Sequence, residues 1–327
     1  MILIYVRPGG CEDGSVKRGE LLPMKTVLLP PVDSREARKG AWSGLLAYGL
    51  WGLFPLYFKT VVEVPALEML AHRILWSFLV LIVLVAITRR ANEIRTLLAD
   101  PGTALMLLGS TLLIATNWLL FIISVNTGRV IESSLGYFIN PLVNVLLGYL
   151  FLSERLRGPQ RASLLLAGAG VALLVGLHGK VPWISAALAV TFAFYALLRK
   201  MAPVESLPGL TFETGILAPA ALCYIAWGAA SGSGSFLTGT VRFDRLLPLA
   251  GIITAVPLLL FGVAARRVRL TTLGFLQYVT PTGHFLLAVF AFGEPFGKGD
   301  LAAFLMIWGG LAIYTIDAVR QHGESDA

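Results

Sequence analysis

Two apolar segments of the sequence each carry polar side chains around a central proline. In residues 130–152 the polar positions share one helical face because they are spaced by three and four residues, and they are Tyr137, Asn140 and Asn144 beside Pro141. In residues 271–292 the corresponding set beside Pro281 is Gln277, Tyr278, Thr280 and His284. Amide, hydroxyl and imidazole groups arranged in this way can bind a polar solute through hydrogen bonds.

Each proline also leaves a backbone carbonyl without its helical partner. Proline has no N–H, so the carbonyl four residues earlier is freed, at Tyr137 and at Gln277, and hydrocarbon cannot satisfy it. A water-lined solute pathway would satisfy both groups. We therefore interpret the two polar rows as pathway walls and Pro141 and Pro281 as hinges. The alternative is that the polar groups join helices by hydrogen bonds while the prolines only shape the bundle.

An ionisable cluster opens a further apolar segment, residues 67–88. Glu68 and His72 are four residues apart and share a helical face, and Arg73 follows directly. Charged groups inside a membrane are costly, which makes this cluster a candidate for coupling or gating. The alternative is a structural Glu68–Arg73 pair whose side chains extend to the membrane interface. Glu213, near the start of a later apolar segment, is a second acid that would suit proton coupling.

Other polar residues have a structural and a functional interpretation side by side. Asn117 and Trp118 would line the pathway, although the tryptophan also suits an interfacial anchor. Glu132 is a further candidate for the pathway, although its place at the start of residues 130–152 also suits an acid that stabilises a helix N-terminus. Glu154 and Glu294 follow apolar segments, and we expect them to end a helix or to cap its neighbour.

The sequence contains no motif for catalysis, metal binding or cofactor binding. It lacks a Walker loop, a Gly-rich nucleotide fingerprint and the H-E-x-x-H spacing of zinc sites, so we expect no cofactor, no metal and no enzymatic activity. The net charge of +7 is spread over strips between apolar segments and a leading tail rather than over one surface. We therefore do not expect nucleic acid as a partner.

The composition requires a membrane as the solvent. The chain is 56% hydrophobic and only 14% charged, too apolar for a soluble domain. Period-two alternation of barrel strands is absent, so we predict an all-α integral membrane protein with ten transmembrane helices. Apolar stretches of spanning length run over residues 41–59, 67–88, 103–126, 130–152, 160–178, 183–199, 209–229, 246–265, 271–292 and 300–318.

Basic residues concentrate in alternate loops and so predict an orientation. They fall in residues 89–95, 155–161, 199–200 and 266–269. The excess of Lys and Arg in cytoplasmic loops then places both termini in the cytoplasm, with the protein in the plasma (bacterial inner) membrane. Residues 1–40 lack a signal-peptide core and are expected to form a disordered tail, with residues 319–327 as a second tail. Met24 is an alternative start.

An internal repeat relates the two halves of the chain. Residues 117–174 align without a gap onto residues 257–314 at an offset of 140, which superimposes Pro141 on Pro281 and Glu154 on Glu294. The first half, residues 41–178, and the second half, residues 183–318, each contain five predicted spans. Because five is odd, the second copy must be inverted in the membrane, which is typical of transporters that work by alternating access.

The sequence also resembles a known group, the EamA family of the drug/metabolite transporter superfamily. The motifs that carry the resemblance are HRILWS at 72–77, NWLLFI at 117–122, GYFINPLVNVLLG at 136–148, ETGILAP at 213–219 and TLGFLQYVTPT at 272–282. The resemblance implies a ten-helix fold of two inverted EamA repeats, both termini in the cytoplasm, and a central cavity lined by spans including three, four, eight and nine. Related members export amino acids and other metabolites.

We therefore predict a secondary transporter that exports a small metabolite or drug-like solute across the plasma membrane by alternating access. Its expected partners are the small-molecule solute and membrane lipids. The small-residue strips Ala169–Gly170 and Gly309–Gly310 permit close helix packing or a homodimer face. Two alternatives stay open: a flippase of a lipid-linked substrate, and an intramembrane sensor or enzyme that uses Glu68, His72 and Arg73.

Overall fold

The described part of the chain is all-helical. A computed structural model describes residues 34–127, 130–179, 183–237, 241–291 and 297–325, and these residues contain no strand. The helices are α1 Ser34–Gly52, α2 Phe54–Thr60, α3 Ala66–Ile87, α4 Ala91–Ala99, α5 Pro101–Asn126, α6 Val130–Leu152, α7 Gly158–His178, α8 Trp183–Met201, α9 Ser206–Ser231, α10 Val241–Arg267, α11 Leu270–Gln277, α12 Val279–Leu286 and α13 Lys298–Ser325, with a π-helical turn at Leu287–Ala291.

Nine helical stretches within these residues are long and apolar enough to cross a membrane, judged by length and composition alone. They are α3, α5 to α10, the stretch Leu270–Ala291 and α13. Large apolar side chains point outward from them: Leu105, Leu165 and Phe290 are 69%, 74% and 79% exposed. Lipid chains are as apolar as leucine and suit such a surface. The prediction of an all-α membrane protein is confirmed.

The first predicted span, residues 41–59, is divided into two helices. α1 ends at Gly52 and α2 begins at Phe54, with Pro55 in the first turn of α2, where the missing N–H has no helical partner to lose. α1 alone is not among the nine stretches because its first two turns are charged.

The two central prolines have different effects on their helices. α6 continues through Pro141 as one helix. In the second half the helix is interrupted: α11 ends at Gln277, α12 begins at Val279, and the stretch finishes in the π-helical turn. Pro281 cannot donate to the carbonyl of Gln277, which is the last residue of α11. A break is therefore already present in the second copy and not in the first.

The helices extend beyond the boundaries that the sequence predicts. α1 starts at Ser34 and α13 reaches Ser325, so residues 34–40 and 319–325 are helical rather than tail. At the start of α1, Glu36 accepts hydrogen bonds from Lys39 at 2.6 Å and from Arg267 at 2.8 Å, which anchors this turn outside the apolar region. α4, which was not predicted, is a short amphipathic helix inside a basic loop. Residues 1–33 lie outside the described part.

The halves share one helix plan. Four helices of the second half each start 140 residues after a helix of the first half, and the pairs of first residues are Ala66 and Ser206, Pro101 and Val241, Val130 and Leu270, and Gly158 and Lys298. Helices at equivalent places in the two halves also pack in equivalent ways. The contact of α6 with α8 in one direction corresponds to the contact of α11 and α12 with α1 in the other. The contact of α3 with α10 corresponds in the same way to the contact of α9 with α5. α7 packs on α13 and α3 packs on α9.

Two glycines set the contact between α7 and α13. A Cβ atom on Gly170 would lie 2.7 Å from the Ala303 carbonyl oxygen, and one on Gly310 would lie 2.7 Å from the Ser163 carbonyl oxygen. Both contacts require glycine because the facing atoms belong to the backbone. Within the described residues these small-residue strips therefore serve packing inside one chain, and a homodimer stays a prediction.

Candidate functional site

A cavity lies in the centre of the bundle, between the two halves, and the space between its walls, including the part that is open to solvent, is about 520 Å³. The cavity lies towards the end where α1 finishes and α3 begins, which we call the cavity end. Residues of both halves line it: Tyr48, Trp51, Phe54, Arg73, Asn117, Trp118, Phe121, Tyr137, Phe192, Gln277, Thr280 and His284.

Arg73 is the one Lys or Arg side chain among these lining residues, and it is only 3% exposed. Its Nε donates a hydrogen bond to Thr254 Oγ1 at 3.1 Å, and its guanidinium carbon lies 4.8 Å from the centre of the Trp118 ring. The partner helix α10 comes very close here, since a Cβ atom on Gly251 would lie 2.5 Å from the backbone of Trp76. Arg73 is thus held by α10 on one side and by α5 on the other.

Two predicted pathway residues of α12 hold α1 against the cavity. Thr280 Oγ1 donates to the Tyr48 carbonyl oxygen at 2.9 Å, and His284 Nε2 lies 3.0 Å from the Trp51 carbonyl oxygen. Both side chains also line the cavity. The two polar groups therefore connect the halves at the wall of the cavity.

The predicted amide residues form a chain of hydrogen bonds across the bundle. Asn117 and Asn140 donate to backbone carbonyls of α8, at 2.9 and 2.5 Å. Asn144 donates to the side-chain oxygens of Asn140 at 3.0 Å and of Gln277 at 3.2 Å. Asn117 and Gln277 line the cavity, whereas Asn140 and Asn144, at 1% and 0% exposure, lie behind its wall. The row thus combines the two interpretations that the sequence left open.

The two predicted tyrosines point in different directions. The ring of Tyr137 lines the cavity, with its centre 5.8 Å from the rings of both Phe121 and His284. Tyr278 is 1% exposed and belongs instead to the apolar cluster between α7, α11 and α13, with its ring centre 6.4 Å from that of Phe275. The break between α11 and α12 turns Tyr278 away from the cavity.

Glu68 and His72 lie beside the cavity rather than in its lining. Glu68 accepts two hydrogen bonds from Ser235, from the backbone N–H at 2.6 Å and from the hydroxyl at 3.0 Å. His72 Nε2 lies 3.9 Å from Glu68, and its Nδ1 accepts a hydrogen bond from Trp76. The structural Glu68–Arg73 pair does not form, because five residues of helix turn the two side chains to different faces.

Glu213 lies at the opposite end of the bundle, which we call the ionic end and define by Arg199, Lys200, Glu213 and Glu154. Glu213 accepts a hydrogen bond from Ser110 at 2.5 Å, and its carboxylate lies 3.6 Å from Arg199 Nη1. Both charged side chains are almost completely buried, at 1% and 2% exposure. Lys200 donates to the Val268 carbonyl oxygen. α5, α8, α9 and α10 are joined at this end.

Glu154 caps the first turn of α11, as its position after an apolar segment predicts. Ser153 ends α6 in a left-handed conformation at φ 53°, and the Glu154 N–H then reaches back to the Gly148 carbonyl oxygen at 3.0 Å. This turn directs the carboxylate at the N–H groups of Leu270 and Thr271, at 2.7 and 2.9 Å. The side chain of Glu132 and all of Glu294 lie outside the described residues.

Sequence reasoning missed most of the aromatic wall. Tyr48, Trp51 and Phe54 come from the first span, and Phe192 comes from α8. One available signal was the match of Phe121 with Phe261 in the repeat, because Phe261 packs among these rings, 5.7 Å from Trp51. Arg199, the partner of Glu213, was assigned only to a basic loop. Its position opposite an acid depends on how the chain turns between the end of α8 and the start of α9.

Similarity to known proteins identifies the family. The model of the EamA-like transporter family matches residues 38–176. Protein RarD of Escherichia coli strain K12 is 45% identical over 288 residues, which cover 88% of this chain and 97% of the relative. The chain belongs to the EamA-like transporter family. A protein of Pseudomonas aeruginosa that is named chloramphenicol-sensitive protein RarD is 31% identical over 88% of this chain and 96% of its own length.

Other similarities agree with the EamA assignment. An uncharacterised transporter of Vibrio cholerae serotype O1 is 43% identical over 88% of this chain and 95% of its own length. A crystal structure with 23% sequence identity superimposes with a TM-score of 0.64, over 85% of this chain and 97% of the other, and supports the fold alone. The protein is therefore a multi-pass membrane transporter of the drug/metabolite type.

Proposed function

We propose that the protein is a secondary transporter that exports a small organic solute across the bacterial inner membrane by alternating access through the central cavity. The observation that carries this proposal is the cavity itself, whose walls come from both halves of the chain. A site shared by two halves can open to one side when the halves tilt one way and to the other side when they tilt back.

The proposal includes ten spans in two inverted repeats. α1 and α2 together supply the first span, and the nine apolar stretches supply the rest. The common offset of 140 residues between helix starts and the exchanged packing of equivalent helices both support a two-fold relation between the halves. Five spans in each half then require that the second half is inverted. The alternate basic loops support cytoplasmic termini, which would place the ionic end inside and the cavity end outside.

The hydrogen bonds at the two ends suggest how the cycle would run. The buried Arg199–Glu213 pair and the Glu154 cap hold the ionic end together, so the cavity lies on the far side of a closed contact. The break at Tyr278 and the proline at Pro141 are the natural hinges, because neither backbone has a complete set of helical hydrogen bonds there. Glu213 would gate the ionic end through Arg199, while Glu68 and His72 would gate the cavity end through Ser235.

The test of the proposal is solute flux through sealed proteoliposomes that contain the purified protein. A panel of labelled amino acids and antibiotics, including chloramphenicol, is followed with and without an imposed pH gradient. Tyr137→Ala removes a ring from the cavity wall. Tyr149→Ala is its matched control, because Tyr149 lies on the same helix α6 and is 60% exposed on the outer surface.

We expect wild type and Tyr149→Ala to carry the same solutes, and Tyr137→Ala to fall to the flux of empty liposomes while staying folded. Equal flux in all three proteins would show that the cavity is not the pathway. The absence of flux for every solute, together with transfer of a labelled lipid between leaflets, would favour the flippase alternative. Dependence on the pH gradient that is lost in Glu213→Gln would support a role of Glu213 in coupling.

A further inference from the structure

Arg73 is a buried cation whose charge no carboxylate of the described residues balances. The ion pairs found among these residues join other partners, and the hydrogen bond from Nε to Thr254 is the one that they provide to its guanidinium. A charge in the apolar part of a membrane protein is costly unless it is paired. An unpaired cation that lines a cavity therefore marks a place where an anion can bind.

The nearest acid on the same helix is already engaged. Both carboxylate oxygens of Glu68 accept hydrogen bonds from Ser235, and the closest cationic candidate to them is His72 at 3.9 Å. Glu68 is thus directed at the loop after α9, on a different face of α3 from Arg73.

The guanidinium group of Arg73 is held in a fixed position. Its carbon lies 4.8 Å from the ring centre of Trp118 and 5.5 Å from that of Phe58, and Nε is bonded to Thr254. Thr254 occupies the Nε, and the two terminal nitrogens have no hydrogen-bond partner among the described residues. A planar pair of N–H donors matches the two oxygens of a carboxylate.

The remaining lining selects the rest of the ligand. Seven of the twelve lining residues are aromatic, and the other polar groups are uncharged amides, a hydroxyl and an imidazole that lies against the Trp51 carbonyl. Aromatic walls favour an apolar, flat body through area burial and ring contacts. One arginine neutralises one negative charge, which suits a carboxylate better than a phosphate dianion.

We propose that Arg73 is the anchor of a carboxylate-binding subsite, and that the transported solutes are organic monoacids with an apolar or aromatic body. The inference rests on the proposed transport function, since it names the solute class for the same cavity. Arg73 binds the carboxylate through its terminal nitrogens, and the rings of the cavity cover the body of the solute.

Equilibrium binding tests the subsite without requiring transport. The purified full chain in phosphatidylcholine nanodiscs, whose lipid carries no net charge, is titrated with benzoate, with its neutral isostere benzamide and with phenyl phosphate. The variants are Arg73→Gln, which removes the charge, and Arg73→Lys, which keeps it but loses the planar pair of donors. Arg95→Gln is the control for the loss of one positive charge, because Arg95 lies exposed on α4, outside the cavity.

We expect wild type and Arg95→Gln to bind benzoate at least about tenfold more tightly than benzamide, because a charge-assisted hydrogen bond contributes roughly that factor. Arg73→Gln should lose this preference and Arg73→Lys should keep part of it. The proposal is overturned if wild type does not prefer benzoate, if it prefers phenyl phosphate, or if Arg73→Gln keeps the preference. The comparison within wild type stands even if Arg73→Gln does not fold. Benzoate binding without flux would support the subsite and contradict transport.

Discussion

Arg73 and Glu213 occupy the same place in the two halves of the molecule but have different surroundings. Each is the eighth residue of its helix, because α3 starts at Ala66 and α9 starts at Ser206. Arg73 contacts α10 through Thr254, and Glu213 contacts α5 through Ser110. The packing of α3 on α10 and of α9 on α5 is also equivalent. The order and packing of the helices are repeated in the two halves, whereas the charge at this position is positive in one half and negative in the other.

The difference separates a closed contact from the position that we propose as a binding site. At the ionic end the carboxylate of Glu213 faces Arg199 at 3.6 Å, and both charges are buried together. At the cavity end Arg73 faces aromatic rings and empty volume. A repeated scaffold can therefore close one end by an internal ion pair and leave the equivalent position of the other end to take its counter-ion from a solute.

Breaking the ion pair at the ionic end should have the largest effect. Arg199→Met leaves the buried carboxylate of Glu213 without its cation, with only hydrogen bonds such as that from Ser110, and we expect a loss of about 3–5 kcal/mol in the free energy of unfolding. Arg73→Met leaves no carboxylate unpaired, so it should cost much less. The measurement is unfolding by SDS titration in mixed micelles.

The double variant Arg199→Met with Glu213→Gln sharpens this prediction. Since neither charge remains, it should be more stable than Arg199→Met alone. If the losses of the two single variants simply added, the ion pair would not be what holds the ionic end.

A carboxylate introduced beside Arg73 should balance its charge from within the protein and so compete with an anionic ligand. Thr254→Asp places a carboxylate beside Arg73 Nε, in a side chain of similar size, and we expect benzoate binding to weaken at least about tenfold. Thr254→Asn is the matched neutral control and should keep the affinity. Both are checked by titration in nanodiscs. Equal affinities in the two variants would mean that Arg73 does not act through its charge.

The cap at the ionic end should affect stability without affecting the cavity. Glu154→Gln replaces one of the carboxylate oxygens that face the N–H groups of α11 with an amide nitrogen, and we expect a loss of about 1–2 kcal/mol in unfolding free energy. Benzoate affinity should stay at the wild-type value. If the free energy of benzoate binding changed by more than the free energy of unfolding, the two ends would be coupled more tightly than their separation suggests.

The contacts of Glu36 at the outer rim of the ionic end should contribute least to the stability of the protein, and their contribution should depend on pH. Hydrogen bonds from Lys39 and from Arg267 hold the pKa of Glu36 below its usual range. A lowered pKa in the folded state stabilises the protein above the pKa of the unfolded chain, and this contribution is lost as pH falls through the folded pKa. Because Glu36 is exposed to water, the effect is small.

The measurement for Glu36 is the thermal unfolding midpoint of wild type and of Glu36→Gln as a function of pH. We expect the midpoint of wild type to be slightly higher than that of Glu36→Gln above about pH 5. The two midpoints should coincide below about pH 3 to 4. A difference that grows on acidification would contradict the assignment.

Much of the architecture could be predicted from local patterns in the sequence. Nine of the ten predicted apolar segments are helical stretches long enough to span a membrane, and the offset of 140 between Pro141 and Pro281 reappears in the starts of four helix pairs. Helix ends outside the membrane were predicted less well, as Ser34 and Ser325 show, because charged residues can continue a helix once water surrounds it. The short helix α4 gave no apolar signal of spanning length.

The candidate site was predicted only in part, for a physical reason. Asn117, Tyr137, Gln277, Thr280 and His284 line the cavity as proposed from their polar character. Asn140 and Asn144 share the same face in sequence but lie behind the wall. A helical face covers more than one neighbour, and the pattern does not say which part of it meets the cavity.

The sequence by itself determined that the protein is a helical membrane protein with an internal sequence repeat. The length of the apolar segments, the positions of the prolines and the offset of the repeat are properties of the chain alone. Only the tertiary structure decided that Arg73 has no carboxylate beside it among the described residues, while Glu213 has Arg199. Whether a charge is paired depends on the rotation and approach of helices that are distant in sequence, such as α10 on α3 and α5 on α9. The same packing decides which aromatic side chains face a solute and which face lipid.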